Sequence, residues 1–330
     1  MPEHNVVITD FLTGDLEIER RVLGDLAVLD ACDAHDEQQL VGRVEDAGAL
    51  MVYHNIHITA ATIDRLADCK LIIRCGVGVD NIDIAAATAR GIPVANVPDY
   101  GTEEVADSAI GMTLALTRGF HRLNSRLRAN RGPWMYTQAA PLQRLRGEVF
   151  GIVGLGRIGT ATAVRAKALG MDVVYYDPYK PDGYDKALGI RREHDLRALF
   201  AQAYVVSFHC PLTGETRHMI NAESIESLRR GSYLINTSRG AVVDTSVIPA
   251  AIESGRLAGA GIDVLPAEPP SDDEPLLVAW RDPEHPAHDR LIVNPHAAFY
   301  CEQGLGEIRV KASEACRAAL LGQKVRTVVN

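Results

Sequence analysis

The stretch Val149–Tyr179, VFGIVGLGRIGTATAVRAKALGMDVVYYDPY, decides how the rest of the chain is read. An apolar run enters Gly154-Leu155-Gly156-Arg157-Ile158-Gly159, a helical pattern follows, and a second β-rich run ends at Asp177. Gly154 permits a tight turn, and Gly156 lets a pyrophosphate approach the backbone at a helix N-terminus. Gly159 lets that helix pack close to the strands. Arg157 and Ile158, between the glycines, count with them as cofactor-binding positions. Asp177 falls 18 residues after Gly159, where a carboxylate reaches the ribose hydroxyls. A G-x-G-x-x-G alone has a plain glycine turn as its alternative. Preceded by a strand and completed by the acid, it predicts a dinucleotide site for NAD.

Outward from this stretch, short β-rich runs alternate with helix-length patterns: NVVITD, GALMVY, KLIIRCG and IPVANV before it, then YVVSFHC, SYLINTS, GAGIDV and RLIVNPH after it. Helical patterns lie between most of them, including ATAVRAKALG (161–170) and SVIPAAIESGRL (246–257). Such alternation means βαβ units and parallel sheets covered on both faces. The predicted fold class is α/β, with two Rossmann-like or flavodoxin-like, doubly wound parallel-sheet domains and a cleft between them. The first domain spans residues 1–98 and is completed by 298–330, where a terminal amphipathic helix returns to it. The dinucleotide-binding domain spans 99–297. Ligands of such sheets bind beyond the carboxyl ends of the strands, so the chemistry is sought in the loops after strands.

Bulk properties narrow the function classes. The 330 residues, 47% apolar and 23% charged, suffice for two separate cores. A formal net charge of −9 with no basic block excludes a nucleic-acid partner as the expectation. The first residues are too polar for a signal peptide, and no apolar run reaches the roughly 18 residues of a membrane span. The six cysteines show no C-x-x-C pairing, which suggests reduced thiols in a cytoplasmic protein. His285 and His288, in HPAH, suggest at most a solvated acidic loop, so no metal site is expected.

A second stretch carries the chemistry. YLINTSRGAVVD (233–244) begins as a buried strand and runs into Arg239. A guanidinium at such a strand end costs several kcal/mol in lost hydration unless something anionic meets it. A structural ion pair would serve as well as a ligand. GAGIDVLPAEPP then places Asp263 at a strand end and Glu268 in the loop beyond, and RLIVNPHAAFY places His296 just past another strand. Alone, Glu268 reads as a solvated carboxylate and His296 as a satisfied loop histidine. Together the three make an anion-binding cation, a proton carrier and an acid able to orient it.

These segments resemble the D-isomer-specific 2-hydroxyacid dehydrogenase family over nearly the whole chain: GLGRIG, NTSRGAVVD, GIDVLPAEP and NPHAAFY match its motifs in order and spacing. GALMVYHNIHIT, RCGVGVDNIDI, RGIPVANVPDYGTEEVADS, DPYKPDG and HAAFYCEQ are most similar to its carboxyl-terminal binding protein (corepressor) branch. The resemblance implies a catalytic trio of Arg239, Glu268 and His296 and an NAD-dependent exchange between a 2-oxo acid and a D-2-hydroxy acid. Arg239 would face the substrate carboxylate and carbonyl oxygen. His296 would exchange the proton, and Glu268 would hold the ring and keep the imidazolium available.

It also implies a substrate role for the first domain. The amides around Gly76, Val77 and Gly78 would cradle a carboxylate. Arg74 would reach the substrate, with structural pairing as its alternative. Tyr53, His54 and Phe299 would line the pocket. Cys210 and Thr216 would lie near adenosine and phosphates, Thr237 alongside the cofactor, and Asp263 at the nicotinamide amide. Trp134, in a segment like the family's dimer arm, would pack on a second copy in a homodimer or, alternatively, in the core.

Three departures stand out. Phe299 replaces a tryptophan of the corepressor branch, the segment between Glu268 and His296 is longer, and the expected chain has no extended polar tail. The expected partner is a small 2-oxo or 2-hydroxy acid, with hydroxypyruvate, glyoxylate, branched and sugar-derived acids all open. The rival expectation is an NAD(H)-responsive, corepressor-like binding protein.

Overall fold

The structure, a computed structural model, describes residues 4–330. They form two compact units, one of residues 4–101 with Tyr300–Asn330 and the other Thr102–Phe299. In the first, strands β1 (His4–Ile8), β2 (Ala27–Ala31), β3 (Ala49–Val52), β4 (Leu71–Arg74) and β5 (Val94–Asn96) form a parallel sheet in the order β2-β1-β3-β4-β5. β3 and β4 are buried at every position, as expected for strands covered on both faces.

One cover is the helix Glu302–Leu320, which packs on β3, β4 and the helix Glu17–Leu23. Its buried residues Ile308, Ala312, Cys316 and Leu320 recur every fourth position, so they share one face. That face carries an ion pair at its margin. Arg309 Nε and Nη2 each donate to the fully buried Glu19 carboxylate at 2.6 Å, a fork that offsets the carboxylate's lost hydration. The end of the chain covers β5: Val329 N donates to Val94 O at 2.8 Å, and Val94 N donates to Asn330 Oδ1 at 2.8 Å. An otherwise open sheet edge is thereby closed.

The second unit is built on seven strands: β6 (Val149–Val153), β7 (Asp172–Tyr176), β8 (Arg191–Arg192), β9 (Val205–Phe208), β10 (Ser232–Asn236), β11 (Leu257–Ile262) and β12 (Leu291–Val293). Their order is β12-β11-β10-β9-β6-β7-β8, all parallel. The chain therefore builds from β6 to one edge, returns, and builds from β9 to the other. Between β6 and β9 lies the point where the direction of winding reverses, which opens a crevice at their carboxyl ends.

One face of this sheet packs Val153, Val206, Leu234 and Ile262 with Leu199 and Phe200. The other packs Ile152, Tyr175 and Ile235 with Ala109, Met112 and Leu116 of the helix Thr102–Thr117.

The ten strands read from the sequence are present, and two edge strands, β2 and β8, add to them. The long helical pattern after Thr102 is broken at Gly119, whose left-handed φ of 67° starts a second helix, Phe120–Arg128. Among the described residues, no helix is long and apolar enough to cross a membrane.

Candidate active site

At the winding reversal, β6 ends in Gly154 with φ 90°, and the helix Arg157–Ala168 begins. A Cβ on Gly159 would lie 2.1 Å from Gly154 O, so only glycine lets the helix start this close to the strand it follows. The helix has no side-chain cap, and no atom lies within 4 Å of the Cβ position of Gly156. Arg157 and Ile158 are its first two residues. Uncapped amides facing open space are what a pyrophosphate needs. Asp177, just past β7, accepts from Leu155 N through Oδ2 at 2.9 Å and from Tyr179 N through Oδ1 at 3.0 Å. The acid is thus tied to the glycine turn itself.

The β9 loop closes the other side. A Cβ on Gly154 would meet Cys210 N at 2.7 Å, so the two loops touch. Burial pushes the Cys210 thiol up to about 12 and the His209 imidazole down to about 3, which keeps both uncharged. Thr216 acts within its own turn: Oγ1 accepts from Thr213 N at 2.7 Å and donates to Pro211 O at 2.6 Å. Thr237 is different. Its hydroxyl is buried and has no hydrogen-bond partner among the described residues. An orphaned hydroxyl beyond β10, uncapped amides beyond β6 and an acid beyond β7 together fit a dinucleotide.

The loops after β10, β11 and β12 carry Arg239, Glu268 and His296. Asn236 fixes the first: its Nδ2 donates to Arg239 O at 2.9 Å, and its Oδ1 accepts from Ser238 N at 3.0 Å. Gly240 then sits against the second loop, where a Cβ would fall 2.0 Å from Leu265 C. The loops bearing the arginine and the glutamate are therefore in backbone contact.

Glu268 Oε1 accepts from Leu265 N at 2.8 Å, and Oε2 meets His296 Nδ1 at 2.6 Å. The acceptor being a carboxylate, Nδ1 carries the proton and Nε2 remains for chemistry. Phe299 stands edge-on to the His296 ring, 6.2 Å between centroids.

Asp263, expected at the nicotinamide amide, also holds the chain that leaves β12. Its carboxylate, 2% exposed, accepts from Ala297 N at 2.9 Å and Ala298 N at 3.0 Å, while His296 N donates to Asp263 O at 2.7 Å. Burial raises the Asp263 carboxyl above its ordinary range, while the two amides and His296 pull the other way. The physical reason is geometric: three successive amides turn toward one strand end and need acceptors. The sequence alone gives no role to Asn236 or Gly240, although the glycine after Arg239 is a visible signal.

The first unit holds the remaining candidates. Arg74, at the end of β4, is buried, and its Nη1 donates to Cys75 O at 2.7 Å. Gly76 and Gly78 flank the exposed Val77, whose carbonyl accepts from Asn96 Nδ2 at 2.6 Å. Tyr53, expected as a pocket wall, is 1% exposed and stacks on Phe11 at 5.1 Å, so its ring belongs to the interior of this unit. The His54 ring also lies near Phe11, tilted, with 5.0 Å between centroids. Trp134, in the second unit, is 86% exposed and is not a core residue.

The HPAH histidines are used locally. His285 Nδ1 accepts from Ala287 N at 3.0 Å, and His288 Nδ1 meets Trp280 O at 2.6 Å. Among the described residues no cluster of three metal-ligating side chains occurs.

Such a sheet, with a glycine cradle at the winding reversal and an Arg–Glu–His set on neighbouring strand ends, defines a dinucleotide-dependent α/β protein. The family described as "D-isomer specific 2-hydroxyacid dehydrogenase, NAD binding domain" matches residues 110–298. The chain belongs to this family, and NAD is its cofactor.

C-terminal-binding protein 1 of Caenorhabditis elegans is 33% identical over 94% of this chain and 42% of its own length. D-3-phosphoglycerate dehydrogenase of Methanocaldococcus jannaschii is 32% identical over 98% of this chain and 59% of its own. The chain thus spans about half the length of these curated relatives. A D-lactate dehydrogenase from Aquifex aeolicus, crystallised with NAD and lactic acid, superposes with a TM-score of 0.86 at 29% identity and 96% coverage of both chains.

Coenzyme choice follows from Asp177. A 2′-phosphate would place like charge against its carboxylate, and the cations nearby are engaged: Lys180 lies over the Tyr184 ring at 4.9 Å, and Arg192 donates to Asp177 O at 3.0 Å and to Asp182 Oδ1 at 3.1 Å. Efficiency with NADH should exceed that with NADPH by at least about tenfold, about 1.4 kcal/mol. Asp177→Ala should narrow the gap, mainly by weakening NADH. Equal kcat/KM for the two coenzymes in the unmodified protein would contradict the assignment.

Proposed function

We propose that the chain is an NAD-dependent D-2-hydroxyacid dehydrogenase that works as a 2-oxo acid reductase. The observation that carries this reading is the 2.6 Å contact between Glu268 Oε2 and His296 Nδ1, with Oε1 of the same carboxylate held by Leu265 N. A ring fixed at one nitrogen by a fixed acid is an oriented proton carrier. A histidine that only filled a loop would need neither constraint.

The amides at Gly156–Ile158, Asp177 and Thr237 would hold NAD(H), which when bound would supply or accept the hydride. The chain's own residues do the rest. Arg239 binds the substrate carboxylate and carbonyl oxygen with a planar, permanently charged fork. As negative charge grows on that oxygen, the guanidinium stabilises the transition state more than the ground state. His296 Nε2 delivers a proton to the oxygen in reduction and removes it in oxidation, while Glu268 stabilises the imidazolium. Gly76, Val77 and Gly78 supply amides to the substrate carboxylate, and Arg74, His54 and Phe299 are the remaining substrate positions. Asp263 would meet the nicotinamide amide while anchoring the loop that carries His296.

The experiment is a panel of 2-oxo acids with NADH, followed by absorbance. The panel should contain at least one efficiently reduced acid. On that acid Arg239→Ala should lose at least about 10²-fold in kcat/KM, and Arg239→Lys should recover only part. Wild-type turnover by Arg239→Ala would remove the clamp. The similarity to C-terminal-binding protein 1 favours a second reading, an NAD(H)-responsive binding protein. Inertness toward the whole panel, with NADH binding intact, would support it.

We also infer a cytoplasmic homodimer. Phe120, Leu127, Trp134, Met135 and Tyr136 are exposed large apolar side chains within 17 residues of chain, more than scattered exposure accounts for. Trp134→Ser should shift sedimentation from dimer toward monomer in a concentration-dependent way. A wild-type chain that sediments as a monomer at tens of micromolar would refute this.

A further inference from the structure

The ends of β9, β10, β11 and β12 opposite the catalytic loops surround a second cavity, of about 390 Å³. Tyr204, Tyr233, Ala258 and Arg290, at the amino ends of these strands, line it together with Arg122, Arg229 and Arg230. All belong to the second unit. Nothing in the reductase chemistry uses it.

Its charge is out of balance. The acids at its margin are Asp289 and Glu148, and both are already engaged. Arg229 Nη1 donates to Glu148 Oε2 at 2.5 Å, while Arg126 Nη1 and Ser125 Oγ donate to Asp289 at 3.0 and 3.1 Å. Arg230 donates to Ser254 O. Among the described residues, Arg122 and Arg290 have no ion-pair partner, and Arg122 Nε is buried without a hydrogen bond. Burial and the nearby Arg290 and Arg126 pull the Arg122 guanidinium below its ordinary range. The two tyrosines add hydroxyls, their rings edge-to-face at 5.4 Å, and burial keeps the Tyr233 phenol protonated. Two unpaired guanidiniums sharing one cavity are costly unless an anion joins them.

We propose that this cavity binds a small oxyanion carrying at least two charges, held by Arg122 and Arg290. Phosphate-type and polycarboxylate anions share that chemistry, and the test separates them. The chain, saturated with NADH so that its pyrophosphate cradle is filled, is titrated calorimetrically with inorganic pyrophosphate and, separately, with citrate at fixed ionic strength.

One anion per chain should bind with a dissociation constant below about 1 mM, and the melting temperature should rise. The anion bound more tightly identifies the class. Arg122→Gln and Arg290→Gln should each weaken binding by about tenfold or more. Leu142→Glu, which places a carboxylate in the lining without touching an arginine, should weaken it as well. Arg239→Gln should leave it unchanged.

Absence of binding by both anions up to about 10 mM would overturn the proposal, as would equal binding by the Arg122 and Arg290 variants or loss in Arg239→Gln. So would a fall in oligomer size in Arg122→Gln with no anion bound by the wild type. That pattern would mean that a carboxylate of a second copy fills the cavity.

Discussion

The loops that carry the proposed catalytic residues depend on one buried carboxylate. His296 sits in the left-handed backbone region, with φ 51°, which a side-chain-bearing residue enters at a cost of about 1 kcal/mol or more. Three hydrogen bonds to Asp263 hold it there, two to the carboxylate and one to the backbone carbonyl. The end of β11 thereby dictates the path of the chain leaving β12. Burying Asp263 is unfavourable for its charge, and the amides of Ala297 and Ala298 are what offset that cost. The same hydrogen bonds offset both the strain and the burial, and the imidazole is delivered beside Glu268.

The neighbouring loop is fixed by a different device. No side chain fits at Gly240, because Leu265 and Pro266 occupy its Cβ space. The loop carrying Arg239 is therefore pressed against the loop carrying Glu268, and Asn236 locks its other end. Arginine, glutamate and histidine arise from three successive strand ends, yet backbone contacts couple their positions. On the β6 side the same logic recurs, with Gly159 against Gly154 and Asp177 tied to Leu155.

The sequence revealed those parts whose patterns are local. Buried parallel strands are continuous apolar runs, so β3, β4, β6 and β10 were legible, as was the glycine cradle with its acid. β2 and β8 were not, since AVLDA is a partly exposed edge strand and β8 is only the pair Arg191–Arg192. The motif GALMVYHNIHIT, which holds both Tyr53 and His54, does not show that the Tyr53 ring stacks on the distant Phe11. Asp263 is legible as an acid at a strand end, but its bonds to the Ala297 and Ala298 amides are not. An acid can be seen in a sequence, but not which of three amides will turn toward it. The cavity flanked by Arg122 and Arg290 joins residues far apart in the chain, so no local pattern announces it.

The central claim is that His296, held by Glu268, moves the proton while the dinucleotide site works independently of it. Rapid-mixing measurement of hydride transfer at saturating NADH and 2-oxo acid, in wild type, His296→Gln and Glu268→Gln, tests this most directly. NADH should bind all three proteins with similar affinity. Transfer should slow by about 10²-fold or more in His296→Gln and by a smaller factor in Glu268→Gln. Wild-type transfer in His296→Gln, with the substrate bound, would contradict the account.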